Sequence, residues 1–280
     1  MAASRNPNRA RIASVLEKLA LTPEEEKRVL DQLRLPERVR KTYDHYNNSR
    51  RSKYMVVSDT HIGSKFYRPD IMDAAAMVAK KEGVEAIYHA GDVIEGMSNR
   101  DGHVYELDQV GTSAQVNKAV SELEKLTAVG VPFYFTTGNH EDWAKNKANQ
   151  GVMVGPTLED KLKGSKWLGE YTAQIALSPN TTMWLTHEGS SSYALSYSGQ
   201  KRINALSGGV KPDIIYNGHL HKALYMLYRN IHYHEAGTMQ DQTPFMAMKG
   251  SPAMPGFWVV DVSFNRKGIN EYSPKLYPFY

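Results

Sequence analysis

Five short runs along the chain carry side chains able to hold a metal ion: Asp59-Thr60-His61, Gly91-Asp92, Gly138-Asn139-His140-Glu141, Thr186-His187 and Gly218-His219-Leu220-His221. Carboxylate, amide oxygen and imidazole together suit Mn, Fe or Zn, and suit Mg or Ca less well. The chain contains no cysteine, so disulfides and thiolate metal sites are excluded. Taken singly, each run has an ordinary explanation. A Gly-Asp pair is usually a turn, and one histidine at a strand end is more often hydrogen-bonded than metal-bound. The ensemble carries the inference, because all five runs follow apolar stretches that read as strands. His45, His89, His103, His232 and His234 stand outside it and read as ordinary core or surface histidines.

The elements around these runs must bring them together. Tyr54–Val57, Ala86–His89, Pro132–Phe135, Met183–Thr186 and Asp213–Tyr216 read as strands. Asp70–Lys81, Gln109–Leu126 and Tyr193–Leu206 read as helices. After His221 the pattern is β-rich, through Ala223–Leu227, Ile231–His234 and Phe257–Val262. Alternation followed by a β-run predicts an α/β chain with two facing sheets and helices outside. Loops at the C-terminal ends of strands in such a sheet converge on one edge. Asp59 and His61 are two residues apart, as are His219 and His221, so in extended chain each pair points the same way. Gly91, Gly138 and Gly218 are expected where the chain turns sharply beside a crowded ion.

The 280 residues carry a net charge of +4, unevenly spread. Met1 to Lys53 holds 13 Lys+Arg against 7 Asp+Glu, and the remainder 21 against 23. Ile12, Val15, Leu16 and Leu19 fall at helical spacing. Thr22-Pro23-Glu24-Glu25 reads as the capped start of a second helix, continued by Val29, Leu30 and Leu33. A helical N-terminal extension over 1–52 and a main domain over 53–280 are therefore expected. The extension is a packed helical hairpin, a DNA-reading helix-turn-helix or a polyanion-binding arm. Met1 to Arg11 lacks the apolar core of a secretory signal, and no run is long and apolar enough to span a bilayer. A cytoplasmic protein with no membrane contact is expected.

The order Asp-x-His, Gly-Asp, Gly-Asn-His-Glu, His, Gly-His-x-His resembles the calcineurin-like metallophosphoesterase superfamily, from about Tyr54 to about Gly237. The resemblance implies a four-layer α/β/β/α double β-sandwich with two divalent metal ions at the sheet edge, Mn first. It implies that Asp59, His61 and His221 hold one ion, that Asn139, His187 and His219 hold the other, and that Asp92 bridges them. His140 would then serve the leaving group. Glu95 occupies the position where some members carry the carboxylate that orients this histidine; an ordinary solvated loop residue is the alternative. Glu141 and Asp142 would be supporting residues. Two cations about 3.5–4 Å apart can share a water, make it a hydroxide and clamp the phosphoryl oxygens for in-line displacement.

The substrate is less legible. Gly91-Asp92-Val93-Ile94-Glu95-Gly96-Met97, and Lys211-Pro212-Asp213 leading into Gly218-His219-Leu220-His221-Lys222-Ala223-Leu224-Tyr225, are similar to microbial and phage phosphoesterases. Those are grouped with DNA-repair exonucleases and archaeal DNA polymerase small subunits. This implies a phosphodiesterase or nuclease acting on DNA, RNA or nucleotides. The 17 tyrosines offer faces for base stacking, although tyrosines more often fill cores and rims. Ser190 to Arg202, with Tyr193, Tyr197, Lys201 and Arg202, is expected to wall the substrate site. A phosphomonoesterase, a cyclic-nucleotide or dinucleotide hydrolase and a non-catalytic scaffold remain alternatives; the last typically loses ligands that are all present here.

Overall fold

The computed structural model describes residues 42–44, 50–145, 152–189, 194–206 and 211–280. Its centre is strand Arg51–Val57, whose side chains alternate between two apolar layers. Tyr54 and Val56 face one layer, Met55 and Val57 the other, and all four are fully buried. A strand covered on both faces has no polar side, so its sequence is a continuous apolar run.

We number the strands β1 (Thr42–Asp44), β2 (Arg51–Val57), β3 (Ala86–Ala90), β4 (Phe133–Thr137), β5 (Ser165–Glu170), β6 (Thr172–Ser178), β7 (Thr181–Thr186), β8 (Ile214–Asn217), β9 (Ala223–Tyr228), β10 (Ile231–Ala236), β11 (Gly256–Asn265) and β12 (Gly268–Pro278). They form two six-stranded sheets, ordered β1-β6-β7-β8-β10-β9 and β12-β11-β2-β3-β4-β5. β2 to β5 run parallel, with β11 and β12 added antiparallel on the β2 side. In the other sheet β7, β8 and β10 are parallel.

The helices are α1 (Pro69–Glu82), α2 (Thr112–Thr127), α3 (Asn139–Trp143), α4 (Val154–Lys161), α5 (Tyr197–Ala205) and α6 (Pro244–Met248). Ile71, Met72, Ala75 and Ala79 of α1, with Val116, Ala119, Leu123 and Leu126 of α2, cover Met55, Val57, Ile87, Phe133 and Phe135. These positions recur every three or four residues, the spacing of one helix face. Between the sheets, Tyr54, Val56 and Tyr88 meet Ile175, Met183, Leu185 and Ile214. On the far side Ile203 of α5 packs with Trp184, Ile215, Ile231 and Tyr233. The result is two facing sheets with helices outside, as the alternation predicts, in the four-layer α/β/β/α sandwich that the resemblance implies.

Several expectations need adjustment. β1 pairs in parallel with β6, so Thr42–Asp44 is part of the main sandwich. The two helices expected between Ile12 and Leu33 lie outside the described residues. α2 begins at Thr112, three residues beyond the expected start. α5 begins at Tyr197, and Ser190–Tyr193 lies outside the described residues. β5, β6, β12 and α4 were not anticipated. β12 is an edge strand with polar, exposed alternate residues, and β5 an edge strand carrying Lys166 and Glu170, so neither has a two-sided apolar signature.

Among the described residues no helix is long and apolar enough to cross a membrane.

Candidate metal centre

β2, β3 and β4 point their C-terminal ends the same way, and β7 and β8 do so in the facing sheet. The loops leaving these five strands carry Asp59 and His61, Asp92, Asn139 and His140, His187, and His219 and His221. All converge at one edge. Donor atoms of Asp59, His61 and His221 lie within 4.8 Å of one another, as do those of Asp92, His187 and His219. Asn139 joins the second set, its Oδ1 accepting from His219 Nδ1 at 2.8 Å.

The backbone bends sharply to achieve this. Asp59, His61, Asp92, His219 and His221 all have positive φ, between 48° and 81°, and only three other non-glycine described residues do. Left-handed backbone is costly for such side chains and clusters where function over-determines it. The extended geometry expected for Asp59/His61 and His219/His221 is therefore absent; the pairs converge through left-handed turns. Gly91 does turn sharply, at φ +98°. Gly138 and Gly218 are glycines for a different reason. A Cβ on Gly138 would overlap Asp92 Oδ1 and the His187 ring, and one on Gly218 would overlap Ser58 Oγ and the carbonyl of Ala90.

The donors are held from behind. His187 Nδ1 donates to the Ala90 carbonyl at 2.7 Å. The His219 N–H donates to both Asp59 oxygens, at 2.9 and 3.1 Å. Asp92 Oδ1 accepts the His140 N–H at 3.0 Å. Glu141 is buried and accepts N–H groups from Ile94 and Gly138, at 2.9 and 2.6 Å, tying the Asp92 loop to the Asn139 turn. Burial first, then the Asp92 charge, pushes its carboxyl up to about 7.

Facing inward, the same residues leave polar atoms without partners. His187 Nε2 is buried and makes no hydrogen bond, with Asp92 Oδ2 2.9 Å away. His61 Nε2 and His221 Nε2 are 2.9 Å apart. His61 Nε2 lies 3.8 Å from Asp59 Oδ1 and 3.9 Å from Asp92 Oδ2. Lone pairs crowded this closely repel unless protons or cations lie between them. Burial opposes the charged form of His187, yet Asp92 outweighs it and raises the ring to about 9. Burial likewise opposes ionisation of Asp92, but the imidazoles of His187, His140 and His61 hold its carboxyl well below the usual range. Oxygen and nitrogen donors so arranged fit divalent cations.

His140 belongs to the same edge but is oriented otherwise. Its Nδ1 donates to the main-chain carbonyl of Glu95 at 2.6 Å, and Nε2 is 3.8 Å from Asp92 Oδ2. Its ring stacks obliquely on Trp143 at 4.0 Å. Burial pushes it down to about 4, against the pull of Asp92. The Glu95 carboxylate, expected to orient His140, is 4.0 Å from Nδ1 and faces His61 Nδ1 instead, at 3.0 Å. Glu95 is also buried, so it is not a solvated loop residue.

Three supporting residues were missed. His103 bonds Glu95 at 2.8 Å, Gln240 does so at 2.8 Å, and Gln115 clamps Gly96. Gln240 follows β10, and its place just past a strand end on the same edge was the one available signal. Of the segment expected to wall a substrate site, Tyr197 is exposed and Arg202 pairs with Glu188 at 3.2 Å.

The family model described as calcineurin-like phosphoesterase matches residues 52–223. No curated protein matches the chain. Among solved structures, an archaeal phosphodiesterase is 16% identical with a TM-score of 0.45, covering 80% of this chain and 99% of that one. Vacuolar protein sorting 29 from Cryptosporidium parvum is 12% identical with a TM-score of 0.42, covering 82% and 100%.

Proposed function

The chain belongs to the calcineurin-like phosphoesterase family, and on that premise we propose that it is a dinuclear metal-dependent phosphodiesterase acting on nucleic acid or nucleotides. The observation that carries the reading is the pair of donor sets, Asp59 with His61 and His221 and Asp92 with His187 and His219, the buried His187 Nε2 making no hydrogen bond. Asp59, His61 and His221 would hold one cation, Asn139, His187 and His219 the other, and Asp92 would touch both. Two bound cations would lower the pKa of a water and neutralise phosphoryl oxygens.

The chain's own groups do the rest. Asp59 and Asp92 would offset part of the positive charge of two dications. The Ala90 carbonyl fixes the His187 tautomer so that Nε2 faces inward. The Glu95 carbonyl does the same for His140, leaving its Nε2 toward the site. With Nδ1 committed to the Glu95 carbonyl, Nε2 is the atom that would pass a proton, taken up from solvent, to the departing oxygen, and an anionic diester beside the ring favours that protonated form. When a diester is cleaved, the P–O bond to one ester oxygen breaks and that oxygen departs as an alkoxide, which is where such a donor matters most.

The ions are proposed to be manganese, and the working compartment the cytoplasm. The test uses purified full-length protein with Mn2+, comparing bis-p-nitrophenyl phosphate with p-nitrophenyl phosphate. Metal analysis is expected to give about two ions per chain. Activity should favour the diester, vanish with chelator and return with Mn2+. Full activity in excess EDTA after dialysis would sink the metal reading, and preference for the monoester would replace diesterase with monoesterase.

A further inference from the structure

Glu95 is buried at 4% exposure, and three nitrogen atoms from distant parts of the chain surround its carboxylate. His103 Nε2 is 2.8 Å from Oε1; Gln240 Nε2 and His61 Nδ1 are 2.8 and 3.0 Å from Oε2. His103 Nδ1 accepts the Ser98 N–H at 3.1 Å, so the ring proton is on Nε2 and is donated to Glu95. The Gln240 amide nitrogen also donates to Ser64 Oγ at 2.9 Å, which fixes the amide's orientation. Where several donors meet, only an acceptor-only group satisfies them, and a carboxylate is one.

The residue's main chain is held as firmly. Gln115 accepts the Gly96 N–H at 2.7 Å and donates to the Gly96 carbonyl at 3.0 Å. The preceding carbonyl, that of Glu95, takes His140 Nδ1 at 2.6 Å. Glu95 thus touches two site histidines with two different groups. His61 Nδ1 is buried without a hydrogen bond, and Glu95 Oε2, 3.0 Å away, is the acceptor within its reach. If Nε2 is the ligand atom, the ring's one proton is on Nδ1, and Glu95 Oε2 is its acceptor. A carboxylate behind a metal-bound imidazole fixes its tautomer and raises its basicity.

Resting on the metal centre proposed above, we propose that Glu95 is its positioning residue, the carboxylate fixing His61 and the carbonyl fixing His140, with His103 and Gln240 holding the carboxylate in place. The consequence is asymmetric. Loss of the carboxylate weakens the cation bound by Asp59, His61 and His221, leaves the other cation, and leaves His140 in place because the carbonyl survives any substitution.

The test titrates Mn2+ calorimetrically into metal-stripped full-length protein: wild type, Glu95→Gln, Glu95→Leu, His103→Ala and His103→Gln. The 15N shifts of the His61 ring are read on the metal-free samples. Wild type should show two binding events. One of the two should weaken by about 10-fold in Glu95→Gln and about 100-fold in Glu95→Leu, the range for partners behind metal-bound histidines. His103→Ala should weaken the same event less, and His103→Gln should restore it, since an amide nitrogen can replace the donor to Oε1. Two events of wild-type affinity in folded Glu95→Gln or Glu95→Leu would overturn the proposal. If wild type itself binds no Mn2+, the metal reading fails, and the metal-free protein still decides the role of Glu95. A His61 proton on Nδ1 that leaves it in Glu95→Leu supports positioning; an unchanged tautomer overturns it.

Discussion

His61, His187 and His221 at the sheet edge are buried, and so is His234 within β10. Their surroundings differ in kind. The edge imidazoles face Asp59, Asp92 and Glu95, with His61 Nε2 2.9 Å from His221 Nε2 and His187 Nε2 2.9 Å from Asp92 Oδ2. His234 is packed among aromatic rings: stacked on Tyr216 at 4.4 Å and Tyr225 at 4.8 Å, and edge-on to Trp258 at 4.7 Å. Its Nε2 bonds the Tyr272 hydroxyl at 2.7 Å. His232 Nδ1 bonds the Tyr225 hydroxyl at 2.9 Å. Backbone separates them too, since His61, His219 and His221 have positive φ and His234 lies in regular strand. Burial alone therefore does not mark a functional histidine. Nor does an unpartnered nitrogen, since His234 Nδ1 is one too; facing carboxylates do, joined by strained backbone at His61 and His221.

The largest expected effect comes from Asp92→Asn. A neutral amide cannot balance two dications, so both metal content and activity should fall, the activity to background. Metal analysis and diester turnover check it; an Asp92→Asn protein that retains two ions would erase the contrast between the clusters.

Next in size is His140→Ala. Both ions should remain bound while turnover falls by roughly 10²–10⁴-fold on a nucleoside leaving group, the range for a general acid. The loss should be small with p-nitrophenolate, which departs without a proton. An emptied metal site in His140→Ala would make His140 a ligand. Equal losses on good and poor leaving groups would make it a phosphate-positioning residue.

His234→Phe tests the other cluster. Metal content and activity should be unchanged, while stability at pH 7.5 falls by about 1–2 kcal/mol for the lost bond to Tyr272. The pH response should also change. Burial holds His234 well below its ordinary value, so below about pH 6.5 the unfolded chain takes up a proton that the folded chain does not. Stability is thus fully present above that pH and falls as the solution is acidified. Between pH 7.5 and 5.5 wild type should lose about 1.4 kcal/mol more than His234→Phe. Urea denaturation of both proteins at the two pH values measures it, and parallel losses would mean that His234 titrates normally.

The smallest effect is expected from removing residues 1–41, a cut that keeps β1. Nucleic-acid affinity should weaken and its salt dependence flatten, since fewer cations meet phosphates. Hydrolysis of a small chromogenic diester should be unaffected. An unchanged affinity would leave the basic segment without a substrate role.

The seven proposed ligands were legible because each lies directly after a strand that its own apolar residues announce. Tyr54–Val57 and Ala86–His89 needed no partner to be recognised as buried strands. The same local reading overlooked His103, Gln115 and Gln240, which have no pattern of their own. They matter only because the fold carries a short turn, a helix and a segment after β10 to one loop. The resemblance set the Glu95 carboxylate behind His140; packing gives that place to the Glu95 carbonyl and brings the carboxylate to His61.

By itself the sequence determined which donors exist, their order, and the strand ends that bear them, because side-chain chemistry and hydrophobic periodicity are local properties. Tertiary structure alone decided which nitrogen of each histidine faces inward and which glycines must lack a Cβ. It also decided that Glu95 stands behind His61 while His234 rests among tyrosines. Those outcomes depend on distances between residues far apart in the chain, such as the 160 positions separating His61 from His221. Such distances are set only when two sheets pack face to face and bring their loops to one edge.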